Sequence, residues 1–248
     1  MTNKEFVAKA LDIATHYKTL YVNGTWGWPM NAKNKVRVMS NPKNESPARS
    51  AKIKAASSDT FGFDCCGLIK GIIWGWCGDT SQSYGGAGYK INGLPDINEA
   101  GMIAISSPTE DFEGIVPGAV VWRPGHIGIY LGFGLSIEAT PAWADGVQIT
   151  ACNEPVPGYQ TRQWTRWGKF PLIIYKEDPV MSYEQFRAYM DKYLRELQQL
   201  PPDQYAEDAL AWAKDNGIME GSGSGNLMPQ SPVKRQDLAV MLQRALDN

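Results

Sequence analysis

Apolar residues at Phe6, Val7, Ala10, Leu11 and Ala14 recur at helical intervals behind a Thr2/Glu5 capping-box pair, which predicts a helix from about Asn3 to Lys18. A second stripe, Leu68, Ile69, Ile72, Ile73 and Trp76, predicts a buried helix that opens at Cys65. Gly67 and Gly71 weaken its propensity but let another element come close. Residues 31–60, rich in Asn, Lys, Ser and Pro, read either as a long surface loop or as a small helical insertion. Residues 78–118 are loop-like, with a short helix expected near Leu94–Ala100. The pattern then changes to alternation. Ala119–Arg123, His126–Leu131, Leu135–Ala139 and Val147–Thr150 read as short strands between Gly or Pro turns, and Leu172–Tyr175 is expected to close the sheet. Helices followed by an antiparallel meander predict an α+β fold.

Glu177-Asp178-Pro179 breaks the pattern. Ser182 and Gln185 have capping-box spacing and predict a helix to about Leu200, ended by Pro201-Pro202. Its apolar positions Phe186, Met190, Tyr193, Leu197 and Leu200 suit packing within its own domain or pairing between subunits of a homo-oligomer. A helix around Ala206–Lys214, a Gly/Ser turn at Gly221–Gly225 and a helix from about Lys234 to Ala245 complete the chain. The expected plan is therefore one domain over 1–176, a linker and helix over 177–202, and a small all-helical module over 203–248.

Composition adds limits rather than identity. The chain has 248 residues, 43% hydrophobic and 20% charged, as in an ordinary globular protein. With 24 basic and 26 acidic residues the formal charge is −2, so neither nucleic acid nor an anionic membrane is expected as a partner. No apolar run reaches membrane-spanning length, and the first residues lack a signal peptide's apolar core, so synthesis in a cytoplasm is expected. Four cysteines (Cys65, Cys66, Cys77 and Cys152) do not make a disulfide framework, and no C-x-x-C or H-x-x-H spacing supports zinc. No cofactor is expected. Nine Trp and eleven Tyr are many for this size and suit sugar or peptide grooves as well as core.

The candidate chemistry lies in Phe63-Asp64-Cys65-Cys66-Gly67 and Gly125-His126-Ile127-Gly128. A thiol attacks as thiolate, and a helix N-terminus lowers its pKa and offers N–H groups to an oxyanion. Cys65 falls at that terminus; Cys66 lies about 100° further round, so both cannot face one base. His126 is the expected base, since the other histidine, His16, sits near the end of the first helix. Alternation puts His126, Gly128 and Tyr130 on one face, with Gly128 expected to make room for a helix. Ser136, Glu138 and Thr140 share a face of the next strand, from which Glu138 can hold the second ring nitrogen of His126. The competing reading is that both cysteines and His126 are ordinary core residues.

These residues resemble the NlpC-type cell-wall peptidases, papain-like cysteine hydrolases of peptidoglycan stem peptides. The nucleophile motif is matched by Asp64-Cys65-Cys66-Gly67-Leu68-Ile69, and the histidine motif by Pro117-Gly118-Ala119-Val120-Val121-Trp122 with His126-Ile127-Gly128-Ile129-Tyr130-Leu131-Gly132. Tyr21 with Gly24 is similar to the Tyr and Gly-rich turn that precede the nucleophile, and Glu138 falls at the third catalytic position. The resemblance covers about residues 5–175 and gives Cys65 the nucleophile's place and Cys66 that of a serine. It implies amide cleavage by Cys65, His126 and Glu138. Asp64, Tyr21 and Cys66 are then expected to contact substrate, with Trp122 and Trp143 as further groove candidates. Cys66 and Ala119 depart from the family pattern and leave bond specificity open.

The tail resembles a single S-layer homology repeat, through Trp212-Ala213, Asn216-Gly217-Ile218, Met228-Pro229 and Leu238–Leu246. That resemblance implies a secondary cell-wall polymer as partner, with Trp212 and Arg235 as binding candidates; a helical cap or oligomerisation unit is the alternative. Together the two modules are similar to a phage or prophage endolysin acting at the cell wall after release. A non-catalytic wall-binding protein, an acyltransferase and an N-acetylmuramoyl-L-alanine amidase on the same scaffold are the competing functions.

Overall fold

The computed structural model describes residues 1–176, 183–221 and 226–247. The chain divides into two compact units, Met1–Glu177 and Asp178–Asn248.

The first unit opens with α1 (Asn3–His16), whose cap has both halves of the Thr2/Glu5 box. Strands β1 (Thr19–Tyr21) and β2 (Trp26–Pro29) flank β3 (Phe61–Phe63) in a three-stranded sheet, with β1 and β3 parallel. Between β2 and β3 the 31–60 stretch is a helical insertion, α2 (Ala32–Met39) and α3 (Pro47–Ala55) around a short turn at Pro42–Asn44. Its helices start where local chemistry allows. Asn31 accepts the N–H of Asn34, and Ser46 accepts that of Arg49 with Pro47 in the first turn. Val38 and Ile53 pack with Val22, Trp28 and Met30 as a small core of their own.

Helix α4 (Cys65–Ile73) is buried along its whole length. Two of its glycines lie against β2: a Cβ on Gly67 would come within 1.8 Å of the Thr25 carbonyl oxygen, and one on Gly71 within 2.8 Å of that of Trp26. After a long connection comes α5 (Glu99–Ala104), capped by Asn98 and so starting later than the pattern suggested. The main sheet follows: β4 (Val120–Arg123), β5 (His126–Gly132), β6 (Leu135–Thr140), β7 (Gly146–Cys152), β8 (Thr161–Arg162) and β9 (Arg166–Gly168), in the order β8-β7-β6-β5-β4-β9.

Alternation gives this sheet two apolar faces. Ile127, Ile129, Ile137 and Ala139 join α1 and α4 in the main core, while Ala119, Val121 and Cys152 pack with Trp164 and Trp167 on the other side. The expected closing strand at Leu172–Tyr175 does not form. Arg166–Gly168 occupies the edge beside β4, and Ile174 makes only an isolated bridge to Thr2 while Ile173 enters the core. Trp167 supplies what the edge needs, a large apolar side chain opposite Val121, in a segment too short to show alternation.

The second unit contains α6 (Tyr183–Gln199), α7 (Glu207–Asp215) and α8 (Arg235–Asp247). The expected Ser182/Gln185 cap and the Gly221–Gly225 turn fall largely outside the described residues. Leu210, Met219, Met228, Leu238 and Met241 line an apolar groove of about 360 Å³ within this unit. No described helix is long and apolar enough to cross a membrane.

Replacing Gly67 with Ala drives a methyl group into backbone. It is expected to cost about 1–3 kcal/mol, read as a thermal unfolding midpoint several degrees lower; an unchanged midpoint would show that α4 and β2 are not held at this spacing.

Candidate active site

Asp64 caps α4 and ties three elements together. Its Oδ1 accepts the Gly67 N–H at 2.6 Å and its Oδ2 accepts the Gly24 N–H at 2.7 Å, so the turn between β1 and β2 is fastened to the start of the helix. That turn is held from the insertion as well. The fully buried Asn44 accepts the Asn23 N–H at 3.0 Å and donates to the Asn23 carbonyl at 3.0 Å. Burial, with the charge of Cys65 next, raises the Asp64 carboxyl to about 6 against the pull of the two N–H bonds. Asp64 was expected to touch substrate; both of its oxygens are occupied by backbone, although it also lines the cleft.

Cys65 occupies the first turn of α4 and is only 8% exposed, but it lines an open cleft of about 370 Å³. Tyr21, Asp64, Cys66, Asp96, Glu99 and Gly125, the residue before His126, line it too. Neither Trp122 nor Trp143 lines it. Trp122 packs half-buried against the main core, and Trp143 sits over the Arg162 guanidinium, 4.5 Å from Cζ to ring centroid. Their expected groove role therefore does not apply to this cleft. Alternation turns the Trp122 side chain to the core face of β4, with Val120, while the Arg162 cation holds the Trp143 ring.

The structure brings Cys65, His126 and Glu138 together. His126 Nε2 is 2.6 Å from Glu138 Oε2, which leaves Nδ1 for Cys65. Glu138 is completely buried and carries four further hydrogen bonds or ion-pair contacts: Thr150 Oγ1 donates to Oε1 at 2.8 Å, Arg162 Nε donates to Oε1 at 3.1 Å and Oε2 at 3.0 Å, and Arg162 Nη2 lies 2.9 Å from Oε2. Trp164 stacks on the His126 ring, 5.4 Å between centroids and 8° between planes. Its Nε1 donates to Ser136 Oγ at 3.2 Å, and Ser136 lies 3.0 Å from Thr150 Oγ1, so a buried polar chain runs from the indole to the carboxylate. Gly128 makes room here, but not for a helix. A Cβ on it would come within 3.0 Å of the Trp164 ring, while α4 packs on the opposite face with Ile127 and Ile129.

The electrostatics favour an ion pair. The Cys65 thiol is lowered to about 4, first by the hydrogen bond from Cys66, against burial, and then by the hydrogen bond and charge of His126. Cys66 is pushed up by the same bond and by burial and stays a thiol. Burial works against the His126 imidazolium, but bonds to Cys65 and Glu138 outweigh it and raise the pKa above 6.5. Burial would also raise Glu138; the bonds and charges of His126 and Arg162 prevail and hold it low. Tyr21 is raised by burial and then by the charge of Cys65.

Sequence reasoning missed Arg162, Thr150 and Trp164: Arg162 and Trp164 lie in or beside strands of two or three residues that show no pattern, and Thr150, on a strand that was expected, bears no sign in the sequence of its bond to Glu138. It also missed Lys70, a buried cation in an apolar helix that pairs with Asp96 across the cleft wall. A lone lysine inside Ile69-Lys70-Gly71-Ile72 was the available signal. His16 pairs with Asp12 at 2.9 Å on the exposed side of α1. In the second unit Trp212 is 60% exposed and Arg235 is exposed at the start of α8, and neither lines the apolar groove there.

Residues 202–239 match the family model described as the S-layer homology domain, in agreement with the resemblance read in the tail. Among solved structures, the P60 domain of an antigen from M. avium subspecies paratuberculosis is 16% identical, with 70% of this chain and 96% of that chain covered and a TM-score of 0.37. The peptidoglycan hydrolase RipB from Mycobacterium tuberculosis is 17% identical, with 70% and 67% covered and a TM-score of 0.34. No curated protein matches.

Because the Cys65 pKa is lowered and that of His126 raised, the thiolate–imidazolium pair exists from about pH 4 to above 6.5. Alkylation of Cys65 by iodoacetamide, followed by mass spectrometry, is expected to half-titrate near pH 4; a midpoint near the ordinary 9 would exclude the pair.

Proposed function

We propose that the first unit is a peptidoglycan hydrolase that cleaves an amide bond of the stem peptide. The observation that carries this reading is the imidazole of His126, held by a buried carboxylate on one nitrogen and facing the Cys65 thiol with the other. The thiolate attacks the scissile carbonyl and forms a tetrahedral oxyanion, for which the N–H groups of Cys65 and Cys66 are the free donors of the first helical turn. His126 gives its proton to the departing amine, leaving a thioester on Cys65. Water then attacks the thioester with His126 taking its proton, and the released carboxylic acid restores the resting pair. Glu138 fixes the ring throughout. The two sequence motifs supply the substrate class, and Tyr21 and Cys66, both lining the cleft, are the proposed substrate contacts.

The tail adds a wall-binding role. Its match to the S-layer homology family supports a secondary cell-wall polymer as partner, with Trp212 and Arg235 as contacts and an anionic sugar substituent suited to the Arg235 guanidinium. A catalytic unit joined to a wall-binding unit fits an endolysin that acts at the bacterial wall after release.

Purified protein is expected to clear a suspension of Gram-positive walls and to release new amino termini. Cys65→Ala is expected to abolish release and Cys66→Ser to keep most of it; the reverse result would move the nucleophile. Wall pull-down without any new terminus or reducing end would make the protein a binder, and mass spectrometry of the muropeptides identifies the bond. Arg235→Ala is expected to weaken retention on walls about tenfold, the worth of one charge-assisted hydrogen bond; unchanged retention would remove Arg235 from the binding site.

A further inference from the structure

We propose that Arg162 is a positioning residue that acts through Glu138 to keep the His126 proton transferable, and that Trp143 holds Arg162 for this task. The inference rests on the Cys65–His126–Glu138 reading of the site. Arg162 does not line the cleft, so any effect it has on the reaction must pass through the groups it touches.

The geometry is specific. Arg162 meets Glu138 with Nε at 3.1 Å and 3.0 Å from the two carboxylate oxygens and with Nη2 at 2.9 Å from Oε2, and Nη2 donates to Thr140 Oγ1 at 3.1 Å. Its charge faces a carboxylate with no solvent exposure. In the resting site Cys65, His126, Glu138 and Arg162 alternate in sign, and the buried charges cancel. The balance changes during acyl transfer. Once the imidazolium has given its proton to the leaving amine, Glu138 has lost that partner and would remain as an uncompensated buried anion, which is costly. Arg162 is the partner that stays. Without it the carboxylate's field would act on His126 alone, the imidazolium would be held too firmly, and the proton would leave late.

Other charged groups do not duplicate this role. On β4, Arg123 is the register partner of His126, but no carboxylate contact joins it to Glu138. On β7, Thr150 gives Glu138 a neutral hydrogen bond and Gln148 carries no charge. Lys70 on α4 and Asp64 at its cap line the cleft with Cys65, which Glu138 does not, and Lys70 is paired with Asp96. Trp143 closes the arrangement from the turn between β6 and β7, with its ring 4.5 Å from the guanidinium carbon. That turn is in turn pinned by Asp145, whose carboxylate binds Arg49 at 2.7 Å and Lys52 at 2.5 Å from α3.

The test compares the wild type with R162M, R162K, E138Q and R162M/E138Q, using kcat and KM on muropeptides and the pH dependence of Cys65 alkylation. R162M is expected to lower kcat about a hundredfold, the usual effect of a misplaced catalytic group, with KM little changed. The alkaline step of both pH profiles is expected to move up. R162K restores the charge but not the two-pronged geometry, so the alkaline step should return towards wild type while kcat recovers only in part. In the E138Q background R162M should add little, because its route of action is gone. An alkaline step that stays in place or moves down in R162M, or a loss in R162M/E138Q equal to the product of the single losses, overturns the proposal. If R162M does not fold, R162K decides alone: wild-type kcat overturns the proposal, and a lowered kcat with an unmoved step supports it. A wild type that turns over no muropeptide would sink the hydrolase reading instead, and the alkylation profile would still judge Arg162.

Discussion

A carboxylate with no access to water has to find its stabilisation inside the protein, and Glu138 finds it from three directions. His126 comes from the neighbouring strand, Thr150 from the strand on the other side, and Arg162 from the sheet edge. Each contact also constrains the residue that makes it. His126 is confined to one ring orientation, with Trp164 stacked on its face, and so presents its remaining nitrogen towards the first turn of α4. The order of strands in the main sheet is therefore tied to the chemistry: only with β5, β6, β7 and β8 side by side can all these groups reach one carboxylate.

The thiol is placed by a different kind of constraint, steric rather than electrostatic. Gly67 and Gly71 let α4 lie against the backbone of β2, closer than any side chain would allow. That contact brings the turn at Asn23–Gly24 to the helix N-terminus, where Asp64 fastens it with one oxygen while capping the helix with the other. Asn44 braces the same turn from the insertion. The mouth of α4 is thus held by hydrogen bonds between Asp64 and backbone, beside the cleft that Cys65 and Cys66 line. Cys66 is pushed up by its neighbour Cys65 and by burial, so it stays a thiol where Cys65 is lowered.

The second unit obeys a looser logic. Among its described residues only Ala213 and Ile218 are buried apolar side chains, and Tyr205, Trp212 and Leu246 are largely exposed. Exposed aromatic and apolar side chains of this kind are surface that a polymer or another protein can cover.

Periodicity alone located the apolar stripe behind Cys65 and the alternation of His126 and Glu138, because local burial patterns follow directly from helix and strand geometry. From those, the thiol, the imidazole and the carboxylate stood as candidates before any coordinates, and the motif resemblance gave Cys65 rather than Cys66 the nucleophile's place. The tail's repeat was legible too, since its short motifs carry their order in the chain. What the linear pattern does not carry is which element fills the space beside another. The void at Gly128 was assigned to a helix but belongs to Trp164, the sheet edge was assigned to Leu172–Tyr175 but belongs to Arg166–Gly168, and Trp122 and Trp143 were assigned to a groove that neither lines. Arg162 and Lys70 were invisible as partners of Glu138 and Asp96 because an ion pair between residues distant in sequence exists only once both are packed. The sequence by itself pointed to the candidate thiol, imidazole and carboxylate and to the elements that bear them; the tertiary structure alone decided what surrounds them, because desolvation and charge compensation are properties of packed neighbours and not of a chain.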